Sequence, residues 1–124
     1  MNRLLLVCVG GAAGSGARYL LATWVTAKAG GGFPLGTLAV NVLGSFAMGF
    51  LAQFAAAHEM SETTRVALAT GVLGGFTTYS AFNEETLRFL QLGAWGPAAM
   101  NVGVTVIGCL VAGFAGVAAA RVAG

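Results

Sequence analysis

The residues best suited to chemistry in this chain of 124 residues lie together near its middle. They are Gly74-Gly75-Phe76-Thr77-Thr78-Tyr79-Ser80-Ala81-Phe82, set inside a hydrophobic stretch. Two glycines loosen the backbone. Four hydroxyls and three aromatic rings then crowd into the next seven positions. A helix that only spans a membrane has no use for this pattern. Non-helical backbone at membrane depth is tolerated only where protein buries it or where it lines a polar cavity. The segment therefore points to a site for an ion or a small polar solute.

Its two halves suit opposite charges. Tyr79 and Phe82 are three apart, so their rings share a face of a helix, and aromatic ring edges carry partial positive charge. The hydroxyls of Thr77, Thr78 and Ser80 and the amide of Asn83 add donors. Together they suit a small, hard anion; aromatic packing, with each hydroxyl bonded back to its own helix, is the plainer alternative. A broken helix also exposes carbonyl oxygens that can hold a cation. Free carbonyls are expected from Gly74 to Thr77, where two copies meeting on a two-fold axis would enclose an ion the size of Na⁺. Glu84 and Glu85 follow. They read either as a buried carboxylate of a proton-coupled carrier or as acids near the interface. Glu84 stands four before Arg88, the favourable order for a helix ion pair.

Other polar residues interrupt the apolar segments. An arginine deep in a span costs about 2.5–3.5 kcal/mol on insertion scales. Arg18 thus either snorkels from near a helix end or fixes a positive charge at a vestibule that attracts anions. Thr37, Asn41 and Ser45 follow one another at i, i+4 and i+8 and so share a helix face. They serve as interhelical glue or as a polar stripe along a pathway, where the Asn41 amide donates to an anion. Asn101, Thr105 and Gly108 form a similar stripe.

The elements that must position these residues follow from composition. The chain is 57% hydrophobic and 8% charged, against about 25% charged in soluble domains. It is a membrane protein. At about 20 apolar residues per span, four helices use the whole length as a single transmembrane domain, over about 4–25, 36–57, 63–92 and 98–120. Lys28 to Pro34, with its three glycines and a proline, His58 to Glu62, and Gly93 to Pro97 are the connections. Ser61 is placed to cap the third helix, and Trp95 suits the headgroup layer. The basic start and apolar run at Asn2 to Val9 resemble a signal peptide, but the segment continues past Arg18 and is read as a retained helix. Cys8 and Cys109 sit in apolar runs as small hydrophobes. A net charge of +2 gives no reason to expect a nucleic-acid partner.

The 20 glycines include the GxxxG pairs Gly10/Gly14 and Gly71/Gly75, which let helix backbones approach in lipid. So thin a bundle is expected to self-associate to enclose a site. Four spans place Arg3, Arg65 and Arg121 on one side and Lys28 and Arg88 on the other. That is almost no bias for orientation. It fits insertion both ways up, with antiparallel pairing, and equally the chance imbalance of so few charges.

Three motifs carry a family resemblance. They are Gly11 to Tyr19, ending in Arg18 and an aromatic; Gly36 to Phe46, containing Asn41; and Gly71 to Phe82. Asn101, Val102 and Gly108 also match. In this order, over essentially the whole chain, they resemble the small dual-topology fluoride channels (Fluc/CrcB type). The resemblance implies an antiparallel homodimer with two pores in the bacterial-type cell (inner) membrane, exporting fluoride passively and relieving its toxicity. It implies a central structural Na⁺ held by the backbone carbonyls of Gly74 and Thr77. It matches Asn41 to the pore asparagine, Tyr79 and Phe82 to the ring-edge pair, Arg18 to the first-helix arginine, Ser80 to the hydroxyl track and Glu85 to the third-helix acid. Tyr79 stands where the family has Phe, Ala81 where Thr is frequent, and Asn83 where Ser is usual. The protein so read is a channel and not an enzyme. The alternative is a dual-topology, proton-coupled exporter of cationic compounds. Such a carrier needs an acid in its first helix, which here carries Arg18 instead. A third class, an assembly factor whose polar stripes only pack, leaves the break at Gly74 without a purpose.

Overall fold

The computed structural model describes residues 2–124, and those residues form helices with no strand among them. Helix α1 runs Arg3–Ala29, α2 Leu35–Ala57 and α6 Trp95–Ala123. Each is long and apolar enough to cross a membrane. At 1.5 Å per residue the shortest of these, α2, is roughly 35 Å long. Between α2 and α6 lie α3 (Glu62–Val66), a π-helical stretch (Ala67–Leu73), α4 (Gly74–Phe76) and α5 (Tyr79–Gln91).

Local sequence sets the ends. Asn2 caps α1, its side chain accepting from the Leu4 amide at 2.8 Å. Gly30 stops that helix at φ 81°, a left-handed value that glycine adopts without steric cost. Ser61 caps α3 by accepting from the Thr64 amide. Pro97 falls in the first turn of α6, where a helix amide has no intrahelical partner to lose.

The interruption of the third segment falls at the far end of the expected Gly74–Thr77 stretch, and its cause differs from the sequence reading. The glycines do not break the helix. Gly71 is π-helical, and Gly74 and Gly75 are α-helical. The break is at Thr77 (φ −89°, ψ 156°) and Thr78 (φ −149°, ψ 117°), both extended. The Thr77 amide and hydroxyl both donate to the Leu73 carbonyl, at 3.0 Å each, and close the last turn of α4. Thr78 then serves as N-cap of α5, its Oγ1 accepting from the Ala81 amide at 3.2 Å. A threonine hydroxyl is a good N-cap acceptor, so the second helix restarts at once.

The glycines serve close approach instead. A Cβ on Gly14 would run into the Val72 carbonyl, and one on Gly75 would sit 2.5 Å from the Gly11 carbonyl oxygen. The GxxxG pair of α1 thus docks on that of the π-helix and α4, as small residues allow in lipid. On the other side of the bundle α2 packs most extensively on α6. There Gly49 abuts the Gly113 carbonyl and Gly116 abuts the Phe46 carbonyl. At one end Arg3 ties α1 to α3, through Glu62 at 3.3 Å and Thr63 Oγ1 at 3.2 Å.

Candidate functional site

The break is held from outside by α2. Asn41 Nδ2 donates to the Thr78 carbonyl at 2.9 Å, and the Thr78 amide donates to Asn41 Oδ1 at 2.8 Å. One carboxamide thus satisfies both polar groups of a peptide link that has left the helix, as buried backbone requires. Asn41 is 8% exposed. Gly44, one turn further on, makes room: a Cβ there would collide with the Thr77 methyl.

Beside this clamp is a cavity of about 370 Å³ between α2, the break with α5, and α6. Asn41, Thr77, Thr78, Tyr79 and Phe82 line it, joined by Thr105 from α6. With Ser45 of α2, the structure therefore brings together seven residues of the broken segment and the two polar stripes. Tyr79 and Phe82 meet edge to face, centroids 5.5 Å apart and planes at 71°, an arrangement that aromatic quadrupoles favour. Phe82 is buried at 7% exposure, whereas Tyr79 is 77% exposed.

The donors differ in what they have left. Asn41 spends one amide hydrogen on Thr78 and keeps its second. The Thr78 hydroxyl accepts from Ala81 and lies 3.4 Å from Ser80 Oγ. The Thr77 hydroxyl is committed to Leu73, the back-bonded arrangement. Ser80 and Asn83 are exposed on the outer face of α5 and line none of the cavities described.

Arg18 turns inward. Its Nε donates to the Gly75 carbonyl at 3.0 Å. The helix continues from Arg18 to Ala29, about 16 Å, so the residue is near mid-helix and not at a snorkelling end. Two neighbouring carbonyls have lost their helical donors. The Thr78 amide, which a continuous helix would direct to Gly74, goes to Asn41; the Ala81 amide, due to Thr77, goes to Thr78 Oγ1. The carbonyls of Gly74 and Thr77 are thus the kind of oxygen a hard cation accepts, and the donor set fits Na⁺.

Glu85 lies apart from the first cavity. It accepts from Thr37 Oγ1 at 2.8 Å through Oε2, while its buried Oε1 has no partner among the described residues. It lines a second cavity of about 430 Å³, with Thr23 and Thr26 of α1. Glu84 instead pairs with Arg88 on the surface at 2.7 Å. The polar stripe of α6 divides likewise. Asn101 Nδ2 donates to Thr86 Oγ1 at 2.9 Å, and Thr86 donates to the Phe82 carbonyl at 2.9 Å. That relay fixes Phe82 and includes Thr86, which the sequence reading missed. Its four-residue spacing from Phe82 was the only signal available.

Fold and site together define a helical membrane protein with a largely apolar, aromatic-walled cavity at a helix break, into whose wall a few polar groups are set. The matching family model describes a "CrcB-like protein, Camphor Resistance (CrcB)" and spans residues 5–117. The chain belongs to this family. It is 48% identical over 122 residues to the fluoride-specific ion channel FluC of Sorangium cellulosum (strain So ce56), covering 98% of this chain and 96% of the relative. It is 52% identical over 116 residues to the protein of the same name from Anaeromyxobacter sp. (strain K), covering 93% and 92%. The FluC of Geobacter sulfurreducens (strain ATCC 51573 / DSM 12127 / PCA) is 48% identical over 122 residues, covering 98% of each.

Proposed function

We propose that this protein is a fluoride-selective channel giving passive export of fluoride from the cytoplasm. The observation that carries the reading is the cavity at the Thr77–Thr78 break, walled by Asn41 and the Tyr79–Phe82 edge pair, in a chain whose relatives are named fluoride-specific channels. No bond is made or broken, and the protein is not an enzyme.

Fluoride holds its hydration tightly, so the path must offer replacements for water at each step. The free Asn41 amide hydrogen and the Thr78 hydroxyl supply donors, and the Tyr79 and Phe82 edges supply positive rims. Several weak sites in series let an ion both enter and leave. Ser80 and Asn83 extend the donor track on the open side of α5, and Glu85 with Thr37 stands at a further cavity of the same pathway. Arg18 contributes positive charge where the Gly75 carbonyl needs a donor.

The composite segment from α3 to α5 makes the fourth crossing. The functional unit is a homodimer of antiparallel copies in the bacterial inner membrane. Support comes from the outer face of α4 and α5: Gly74, Tyr79, Ser80 and Asn83 are exposed in the single chain. Unsatisfied backbone and polar groups do not face lipid, so a second copy covers them. Na⁺ is assigned to the Gly74 and Thr77 carbonyls, where it would supply a fixed positive charge at the dimer centre.

Fluoride efflux from proteoliposomes, followed with an ion-selective electrode, tests this reading. Fast efflux with no proton gradient is expected. No efflux, or efflux strictly dependent on a proton gradient, would contradict it; the exporter of cationic compounds would in turn need a first-helix acid, which Arg3–Ala29 lacks.

A further inference from the structure

Beyond the cavity beside Glu85 lies another, of about 370 Å³, between the last turns of α5 and the loop joining α1 to α2. Glu85, Arg88 and Phe89 line it from α5, and their i, i+3, i+4 spacing puts them on one helix face. The loop supplies Gly31, Gly32 and Phe33. Phe33 stacks on Phe89, centroids 6.2 Å apart and planes at 28°, which holds the loop against the helix. This cavity shares Thr26 and Glu85 with the one of about 430 Å³ that reaches Thr37. Thr37 is one helical turn before Asn41. The two cavities therefore form an approach from the loop end of the bundle toward the break.

Arg88 is the one cationic side chain that lines any of the described cavities. Arg18, the charge expected at a vestibule from the sequence, lines none of them and is tied to the Gly75 carbonyl. The same lining holds one acid, Glu85, which repels an entering anion unless a cation stands beside it. Arg88 gives Nη2 to Glu84 at 2.7 Å, and its guanidinium has further N–H donors to offer. The side chains of Arg88 and Glu84 are 65% and 59% exposed, so their charges act on ions in water and are screened by salt. Glu84 itself lines none of these cavities.

We propose that Arg88 gathers fluoride at the mouth of the path, and that Glu84 sets the strength of this attraction by offsetting part of its charge. The inference rests on the reading of this chain as a fluoride channel. Arg88 acts by raising the local anion concentration, as a charged cleft does for its ligand. One unit charge, several ångströms of water away, changes that concentration about two- to threefold.

The test uses the full chain in a planar bilayer with the same sodium fluoride solution on both sides, so that the direction of insertion does not matter. Arg88→Gln, Glu84→Gln and the double variant are compared with the native protein. An exposed ion pair contributes little to stability, so all three should fold. At roughly 0.01 M fluoride the Debye length is about 30 Å. There the single-channel current should fall about twofold in Arg88→Gln, rise about twofold in Glu84→Gln and return close to native in the double variant. At roughly 1 M fluoride, where the Debye length is about 3 Å, all four currents should agree. They should agree equally at low fluoride once sodium isethionate raises the ionic strength to the same value. A pair that only secures the end of α5 would instead move both single variants in the same direction. That result, or unchanged currents in both at low fluoride, would overturn the proposal and leave the channel reading standing. Absence of fluoride current in the native protein would overturn both.

Discussion

The carboxamide of Asn41 brackets the peptide of Thr78, giving one hydrogen bond at 2.9 Å and taking another at 2.8 Å. The two residues are thirty-seven apart in sequence. This pairing converts an interruption into a fixed geometry, because the extended peptide has a partner for each polar group. It also leaves one amide hydrogen of Asn41, a residue of the cavity wall, free to donate.

Asn41→Asp should therefore fail twice. The carboxylate still accepts from the Thr78 amide but faces the Thr78 carbonyl with an acceptor, and the cavity loses its donor. Leaving a buried carbonyl unpaired costs about 1–3 kcal/mol. Fluoride efflux should fall at least tenfold, with a lower unfolding temperature in detergent. Wild-type efflux in this variant would remove Asn41 from the pathway.

Phe82→Ile keeps most of the buried volume and deletes the ring edge. Throughput should drop by about tenfold or more, the cost of losing roughly 1.4 kcal/mol of stabilisation of the passing ion. The elution volume on gel filtration should stay that of the wild type. Normal throughput would show that the edge plays no part.

Arg18→Met tests the tie to α4. Its side chain is of similar length but has no N–H to donate to the Gly75 carbonyl, 3.0 Å from Nε in the native chain. Stability should fall by about 1–3 kcal/mol, and efflux should fall with it. Thermal unfolding of the two proteins in the same detergent measures the first, and an unchanged midpoint would mean the tie holds nothing.

Gly14→Ala and Gly96→Ala form a matched pair. The first drives a methyl into the Val72 carbonyl, whereas nothing lies within 4 Å of the second. Overpacking costs about 1–3 kcal/mol, so Gly14→Ala should unfold earlier and Gly96→Ala should match the native protein. Equal midpoints would contradict the docking of α1 on the π-helix and α4.

What the sequence disclosed was local. The cap at Ser61, the end at Gly30 and the apolar spans depend on neighbouring residues or on hydropathy, and each is visible in the chain. The aromatic pair was legible because a three-residue spacing sets a face. Which residues of the Gly74–Thr77 stretch leave the helix was not. Glycine loosens a helix in isolation, but here the docking of α1 holds Gly74 and Gly75 helical, and Asn41 stabilises the extended threonines instead. Partners set by tertiary packing were equally hidden: Asn41 with Thr78, Arg18 with Gly75, Thr37 with Glu85.

The central claim is that the cavity passes fluoride as a free anion in preference to chloride. Current through the reconstituted protein in a planar bilayer tests it most directly, with fluoride on one side diluted tenfold into chloride at constant total halide. The account predicts a reversal potential that follows the fluoride gradient, near the roughly 59 mV expected per tenfold change for a single charge. A reversal that follows chloride or protons, or the absence of any current, would contradict it.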